Sequence, residues 1–255
     1  MAWFSLGCVG HTGHALRRYR HETLRQIAQT GLGAGAMAFV GGAAGIGGFV
    51  VLSGASLVAV QGFVSLGNIG VEAYTGFFSA LVNVRIGTPV IGGVLLASVI
   101  GAGHTAELGA MRISEEIDAL EVMGINSIAY LASTRLIAGL VALVPLFCGL
   151  VIVAFLSPQL TTTVLYGQST GTYEHYFRTF LRPEDVGWSF VESLIIVVAV
   201  MVSHCYYGYN ASGGPVGVGE GVGRSMRFSL VSVQVVVLLS TLAIYGVNPN
   251  FALTV

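Results

Sequence analysis

The feature that most constrains the fold of this chain is the spacing of its charges. Asp, Glu, Lys and Arg are all absent from five long stretches, residues 26–71, 86–106, 136–173, 193–219 and 228–255. About 20 apolar residues, each rising about 1.5 Å, cross the roughly 30 Å hydrocarbon core of a bilayer as a helix. Each stretch is therefore long enough to form at least one membrane span.

Composition leads to the same class of protein. Of the 255 residues, 54% are hydrophobic and 9% are charged, whereas a soluble domain carries about 25% charged residues. A chain with so few charges could not cover a water-facing surface. The sequence therefore predicts an all-α integral membrane protein, with residues 1–255 forming a single membrane domain and no internal repeat.

We place five spans, and a sixth is the alternative. Residues 57–85 leave three possibilities open: they extend the first span, form a re-entrant segment, or begin the second span. Within them, "SLGNIG" at 65–70 indicates a break or a turn. The glycine-rich spacing of Gly93, Ala97 and Gly101 indicates a helix–helix contact face. The predicted spans lie near residues 30–56, 86–106, 134–157, 188–208 and 228–247.

Arginine placement predicts the orientation, since the chain has no lysine. With five spans, one side of the membrane receives eight arginines and the other receives three. The positive-inside rule makes the first side cytoplasmic. The N-terminus is then inside and the C-terminus outside, and the long apolar run after the basic segment is not typical of a cleaved signal peptide.

Residues 3–29, before the first span, are predicted to form an interfacial helix. Leu16, Tyr19, Leu24 and Ile27 recur on one helical face, while arginines fill much of the remainder. Such an amphipathic pattern is typical of a helix lying in the headgroup layer. The alternative is a solvated cytoplasmic tail.

Residues 158–187 are predicted to face outward. Aromatic rings mixed with charges favour a short helix at the membrane interface, and "RPED" at 182–185 is typical of a helix start, with an early Pro and acids near the N-terminus. This segment and the residue after it carry the aromatic candidates for an outer interface or lipid portal, which are Tyr173, Tyr176, Phe177, Phe180 and Trp188.

Five of the twelve acidic residues lie within "ELGAMRISEEIDALEVMG", residues 107–124. Considered as one helix over 107–126, Ile113, Ile117, Leu120 and Gly124 share an apolar face, and Arg112 can pair with Glu116. Anionic headgroups would repel the acidic side, so the helix is better suited to binding a cytoplasmic partner. A solvated helix without a partner is the alternative.

Other functional classes have weaker support. A P-loop requires a lysine, which this chain lacks, and the glycine-rich segment 213–224 is predicted to be a tight turn. His11, His14 and His21 lie close together, but the neighbouring arginines would repel a cation, so no metal site is predicted. Glu192 is the deepest carboxylate, and it keeps a proton-coupled carrier open as an alternative.

The acidic stretch resembles the signature of MlaE/YrbE permeases, which work in ABC transporters with MCE lipid-transfer proteins. That signature is E-[LI]-G-x-M-[RK]-x-[ST]-E-Q-[IL]-x-x-[LM]-E-x-M, and residues 107–123 depart from it at Glu116, where the family usually has Gln. "NVRIGTPV" at 83–90 and the glycine-rich segment at 208–225 also resemble family segments. The chain lacks the arginine that the family often carries before the signature, and Glu192 stands where a basic residue is often seen.

The resemblance implies a transmembrane permease subunit that moves lipid across the cell envelope, with import favoured. It implies a separate cytoplasmic ATPase, MCE proteins on the outer side, a second and unlike permease as in actinobacterial Mce systems, and no cofactor on this chain. Fatty acid, sterol, phospholipid and mycolate-like lipids all remain open, as do a proton-coupled carrier and a structural scaffold. The implied ATPase-coupling residues are Glu115, Glu116, Ile117, Asp118, Leu120 and Glu121.

Overall fold

A computed structural model describes residues 1–31 and 36–246 of the chain. Across these residues the regular structure is helical, and no strand occurs. Five helices are long and apolar enough to cross a membrane, which confirms the predicted number of spans. The ten helices are named α1 (Ala2–Gly10), α2 (Thr12–Arg18), α3 (Arg20–Gly31), α4 (Ala36–Gly67), α5 (Glu72–Ile113), α6 (Glu116–Val122), α7 (Ile128–Tyr166), α8 (Thr170–Phe180), α9 (Pro183–Tyr209) and α10 (Gly214–Tyr245).

The N-terminal segment forms three consecutive helices rather than the single one predicted over 3–29. The helical path bends at His11 and again at Tyr19, where ψ rises to 1° and 33°. Cys8 and Ala15 are fully buried, and the Cys8 carbonyl accepts a 2.8 Å hydrogen bond from the Ser133 hydroxyl of α7. Leu16 is 53% exposed, so part of the predicted apolar face points away from the protein, where lipid can cover it.

The uncertain segment 57–85 is divided by a turn. Helix α4 continues to Gly67, and the chain reverses through Gly70, whose φ of +74° falls in the left-handed region that glycine adopts at little cost. Helix α5 then begins at Glu72. Residues 57–67 thus extend the first span, residues 72–85 begin the second, and the predicted break in "SLGNIG" is confirmed.

Helix α5 is 42 residues long and contains two π-helical stretches, Ala80–Gly87 and Leu96–Gly101. Pro89 follows the first of them and has no backbone N–H to donate. The Thr88 hydroxyl donates to the Asn83 carbonyl at 2.9 Å, which satisfies an acceptor within the widened turn. Helix α5 therefore has widened turns near the predicted outer side, but it remains continuous.

Helices α5, α7, α9 and α10 enclose the main core. A Cβ added at Gly93 would lie 2.6 Å from Ile196, and one added at Gly101 would lie 2.5 Å from His204. Ala97, between these glycines, is fully buried. The small residues therefore let α5 approach α9 closely, and the predicted contact face is confirmed.

An ion pair joins the outer parts of α5 and α9. Arg85 Nη2 lies 3.0 Å from Asp185 Oδ2, and both side chains are buried. Asp185 also accepts the backbone N–H of Arg182, the residue that precedes the first turn of α9. The predicted helix start at 182–185 is confirmed, and its acid has a second role in holding α5.

The glycine-rich segment before α10 is mostly helical, contrary to the predicted turn. Only Gly213 and Gly214 have positive φ, at +89° and +71°, and the helix is continuous from Gly214. Two glycines of this segment lie against neighbouring backbone: a Cβ added at Gly217 would clash with the Ser212 carbonyl, and one added at Gly221 would lie 3.5 Å from the Tyr207 carbonyl oxygen of α9. Composition indicated a turn, but tertiary packing favoured a helix.

Candidate functional site

The acidic stretch forms a helical hairpin at one end of the span bundle. Helix α5 ends at Ile113, the chain reverses at Ser114 and Glu115, and α6 begins at Glu116. Glu115 has a φ of +59°, the one positive value among the non-glycine residues that the structure describes. The helix predicted over 107–126 is therefore divided in two, and its halves point in different directions.

The reversal changes which side chains share a face. Ile117 is fully buried and Leu120 packs against the main core, whereas Ile113 is 39% exposed. The apolar residues of α6 thus seat it on this chain rather than presenting a stripe to a partner. Arg112 pairs with Asp118 at 2.5 Å and not with Glu116, since the turn brings Asp118 back towards the end of α5.

Glu121 is fixed by contacts within the chain. Its Oε1 accepts hydrogen bonds from the Ser127 hydroxyl at 2.7 Å and from the Tyr209 hydroxyl at 2.9 Å. The bond from Ser127, and next that from Tyr209, hold the pKa of the Glu121 carboxyl below its usual value. These contacts join α6 to the last residue of α9, and the sequence gave no signal for Tyr209 because it lies 88 positions away.

The remaining side chains of α6 form an exposed acidic tip. Val122 is 89% exposed and Met123 is 65% exposed, an unusual state for apolar side chains outside the lipid. The Glu116 carboxylate accepts a 3.0 Å hydrogen bond from Ser114. The tip can accept basic or hydrogen-bond-donating groups around a small apolar centre; it consists of Glu115, Glu116, Asp118, Val122 and Met123.

A cleft of about 650 Å³ lies beside the tip, between α1, the loop after α6 and the end of α9. Phe4 of α1 packs against Tyr206 and Tyr209, with ring centroids 5.6 and 5.5 Å apart. The N-terminal helices therefore contact the same end of α9 that holds Glu121. A partner that contacts the tip would lie next to this cleft.

The aromatic candidates of the opposite end pack largely inward. Tyr173 is buried, and the rings of Tyr176 and Phe180 pack on Tyr74 and Phe77 of α5 at 4.6 and 4.5 Å. They fasten α8 to the start of α5. Phe177 makes an edge contact with Phe155 of α7 at 5.3 Å, and Trp188, 48% exposed, is the member of the set best placed to meet lipid or a partner.

Two polar contacts in the spans join partners that the sequence did not identify, although it favoured a structural polar contact for Glu192. Glu192, 2% exposed, accepts a hydrogen bond from Ser240 of α10, a partner 48 residues further along the chain. At the α6 end of the bundle, buried Arg135 of α7 contacts the Glu107 carboxylate at 3.3 Å. Both contacts hold different helices together, and neither follows from helical spacing within one element.

Metal binding has no built site in the described part of the chain. Across residues 1–31 and 36–246, no three His, Cys, Asp or Glu side chains are placed to hold an ion together. The His11 ring instead contacts the Gly7 carbonyl at 2.7 Å, within its own helix end.

Comparison with known proteins gives one family and several relatives. The family model described as permease MlaE matches residues 32–243. The chloroplastic protein TRIGALACTOSYLDIACYLGLYCEROL 1 of Arabidopsis thaliana is 32% identical over 165 residues, which are 65% of this chain and 47% of the plant protein. This chain thus spans about half the length of that relative.

Two bacterial relatives match over most of their length. A probable ABC transporter permease protein of Rickettsia bellii is 27% identical, covering 72% of this chain and 74% of that protein. The intermembrane phospholipid transport system permease protein MlaE of Haemophilus influenzae is 24% identical, covering 74% and 72%.

Proposed function

Since this chain belongs to the MlaE permease family, we propose that it is the membrane-spanning subunit of an ABC transporter that moves lipids across the cell envelope. The names of the Rickettsia and Haemophilus relatives, an ABC transporter permease and a phospholipid transport permease, support this assignment. The protein itself is a transport subunit, and a separate ATPase binds and hydrolyses ATP.

The acidic tip is the observation that carries the proposal. It projects from the end of a five-span bundle, on a helix that buried Ile117 and partly buried Leu120 seat on the same chain. Its exposed apolar residues are surrounded by three acids, which favours a partner surface of basic and apolar character. A cytoplasmic ATPase that presents such a groove would contact Glu115, Glu116, Asp118, Val122 and Met123.

We divide the proposed coupling residues into two groups according to their contacts. Ile117, Leu120 and Glu121 position α6 through contacts within the chain. Glu115, Glu116 and Asp118 present carboxylates outward and are the proposed contacts to the ATPase. A push on the tip would pass to α9 through the Glu121–Tyr209 bond and to α5 through the hairpin itself.

The remaining parts of the proposal concern the other partners. MCE proteins on the outer side would meet the end of the bundle that carries Trp188, and a second, unlike permease would complete the transporter. Import is the proposed direction, and the cytoplasmic membrane is the proposed location, with the N-terminus inside. The lipid is of fatty acid, sterol or related type.

Co-purification with a catalytic readout tests the proposal. The tagged chain, extracted from its native membrane in mild detergent, should bring an ABC ATPase in fixed stoichiometry, and ATP hydrolysis by the complex should respond to added lipid. A chain that purifies alone and drives solute uptake with a proton gradient would instead support the carrier alternative. Purification alone with no transport would support a scaffold.

A further inference from the structure

The cleft of about 650 Å³ beside the acidic tip adjoins the tip along the chain. Val122 and Met123, the exposed apolar residues of the tip, directly precede Gly124, and residues 124–128 form one wall of the cleft. The other walls come from the start of α1 and the end of α9. A partner that covers the tip therefore lies at the mouth of the cleft.

Aromatic rings form much of the α1 and α9 walls. Phe4 packs against Tyr206 and Tyr209, so these three rings hold one another in place. Trp3, next to Phe4 in the chain, is 79% exposed and lines the cleft with most of its ring open to contact. The faces of Trp and Tyr rings attract cations, and arginine is the cation found on them most often.

Glu121 supplies the only side chain with a formal charge among the described residues that line the cleft. Its Oε1 accepts the hydrogen bonds from Ser127 and Tyr209, whereas its Oε2 accepts none from any residue that the structure describes. Arg112 does not neutralise that oxygen directly, because its guanidinium is paired with Asp118 at 2.5 Å. The cleft thus combines aromatic rings with a carboxylate oxygen that can still accept.

A second acceptor lies on the same wall. The Asn210 amide donates to the Tyr206 carbonyl at 2.8 Å, which leaves the Asn210 side-chain oxygen as an acceptor one residue after Tyr209. A guanidinium suits this set, since it is planar, has five N–H donors, pairs with carboxylates through two bonds and stacks on rings. An ammonium group is a compact point charge and would use fewer of these features.

The size of the cleft indicates a peptide segment rather than a single side chain. Its volume corresponds to about twenty water molecules at roughly 30 Å³ each. Helix α1 begins at Ala2 without a side-chain cap, so its first backbone N–H groups, at the edge that carries Trp3, can donate to the carbonyls of such a segment. One edge of the cleft therefore fits backbone carbonyls, and the other, at Glu121, fits a cation.

We infer that the cleft receives a short segment of the partner ATPase that carries an arginine, with the guanidinium between Glu121 and the rings of Trp3 and Tyr206. The inference rests on the proposed function, which names that ATPase, and it adds a second contact beside the acidic tip. The two oxygens of Glu121 then have separate roles: Oε1 holds α6 in place and Oε2 receives the arginine.

Photocrosslinking identifies what enters the cleft. Benzoylphenylalanine in place of Trp3 keeps an aromatic side chain at this exposed position, and the tagged chain is irradiated in its native membrane before purification. Mass spectrometry should find it joined to an ATPase peptide that contains arginine. The control is benzoylphenylalanine in place of Leu24, which is 64% exposed on α3 and does not line the cleft, and it should capture lipid. Lipid alone at Trp3, or an ATPase peptide without arginine, would overturn the inference.

A charge placed in the cleft gives an independent test. Asn210→Arg puts a guanidinium of this chain beside Glu121, where it competes with the incoming arginine and repels it, and the residue is exposed. Retention of the ATPase should fall about tenfold relative to the inserted chain. Gln29→Arg makes the same change from amide to guanidinium at an exposed residue of α3 outside the cleft, and it should retain the ATPase.

The failure of this inference differs from the failure of the proposed function. Undiminished retention of the ATPase by Asn210→Arg, with the unaltered protein also retaining it, would overturn the inference and leave the proposed function standing. An unaltered protein that brings no ATPase would overturn both.

Discussion

The Tyr209 hydroxyl donates a 2.9 Å hydrogen bond to the Glu121 carboxylate, and this bond joins the end of α9 to α6. Ser127 donates to the same oxygen and also contacts the Tyr209 hydroxyl at 2.8 Å. The three groups form a closed triangle at the base of the acidic tip. The position of α6 relative to the bundle therefore depends on these polar groups as well as on buried Ile117.

Removing the Tyr209 hydroxyl should weaken the attachment of α6 to α9 without unfolding the spans. In Tyr209→Phe, Glu121 keeps its bond from Ser127 but loses its tie to α9, at a cost of about 1 kcal/mol because the pair is exposed. Amide hydrogen exchange over residues 116–123 should accelerate about fivefold. Tyr207→Phe is the control, and equal exchange in both variants would show that the bond does not hold α6.

Acidification should release the same contact. The pKa of Glu121 is lowered in the folded protein, so its stabilising effect is present above the usual value of 4.5 and is lost as pH falls through the lower folded value. Protection of α6 should stay constant between about pH 7 and 5 and decrease below that range. Glu121→Gln should flatten this profile; the same decrease in the variant would assign the titration to another group.

Charge reversal on the tip should weaken ATPase binding. Glu115→Arg with Glu116→Arg places two positive charges against a surface proposed to be basic and leaves the Arg112–Asp118 pair intact. Like charges across an interface cost several kcal/mol. Pull-down of the ATPase should fall by about tenfold or more, while the variant still inserts and folds, since neither side chain is buried. Glu184→Arg, exposed at the start of α9, is the matched control. Normal pull-down by the double variant would favour the solvated-helix alternative.

The contact between Glu192 and Ser240 should contribute to the stability of the spans. Ser240→Ala leaves a buried carboxyl without its partner, which costs about 1–3 kcal/mol, and thermal unfolding in detergent should occur at a lower temperature. Ser232→Ala removes only a local bond to the Phe228 carbonyl on the same helix, so it should have little effect. Equal melting temperatures for the two variants would mean that Glu192 finds another partner.

The orientation proposed from arginine placement has a direct test. A reporter fused after Val255 should be external, whereas one inserted within 210–226 should be cytoplasmic. Ser212 and Gly213 are exposed and precede the first residue of α10, so an insertion between them does not interrupt a helix. Both reporters on the same side would contradict the proposed topology.

Sequence was sufficient for the number of spans and the family because both are local properties. A stretch of about 20 residues without charge is enough to identify a membrane span. The start of α9 is likewise indicated by consecutive residues, Pro183 to Asp185. The limits of the spans moved outward: α5 continues past residue 106 through Glu107, and α7 begins at Ile128, before the predicted 134. Glu107 and Arg135 of α7 pair with each other. A hydropathy pattern cannot anticipate that two charges will satisfy each other.

The candidate site was predicted in composition but not in geometry. Helical spacing assumed that residues 107–126 continue in one direction, and nothing in "RISEE" signals a left-handed residue, since Glu115 is neither Gly nor Asn. The pairs Glu121–Tyr209 and Arg85–Asp185 join residues 88 and 100 positions apart. Which residues become partners depends on how the spans pack together. A single sequence does not determine that packing by inspection.

The close approach of α5 to α9 has a mechanical consequence. At one level a Cβ on Gly101 would lie 2.5 Å from the His204 ring, and at another a Cβ on Gly208 would lie 2.8 Å from the Thr105 carbonyl oxygen. With the His204 ring seated against Gly101 and backbone against backbone at Gly208, neither helix can slide or roll against the other without collision. A force applied at α6 therefore moves α5 and α9 together. Any relative motion between helices must occur where this pair packs against its neighbours.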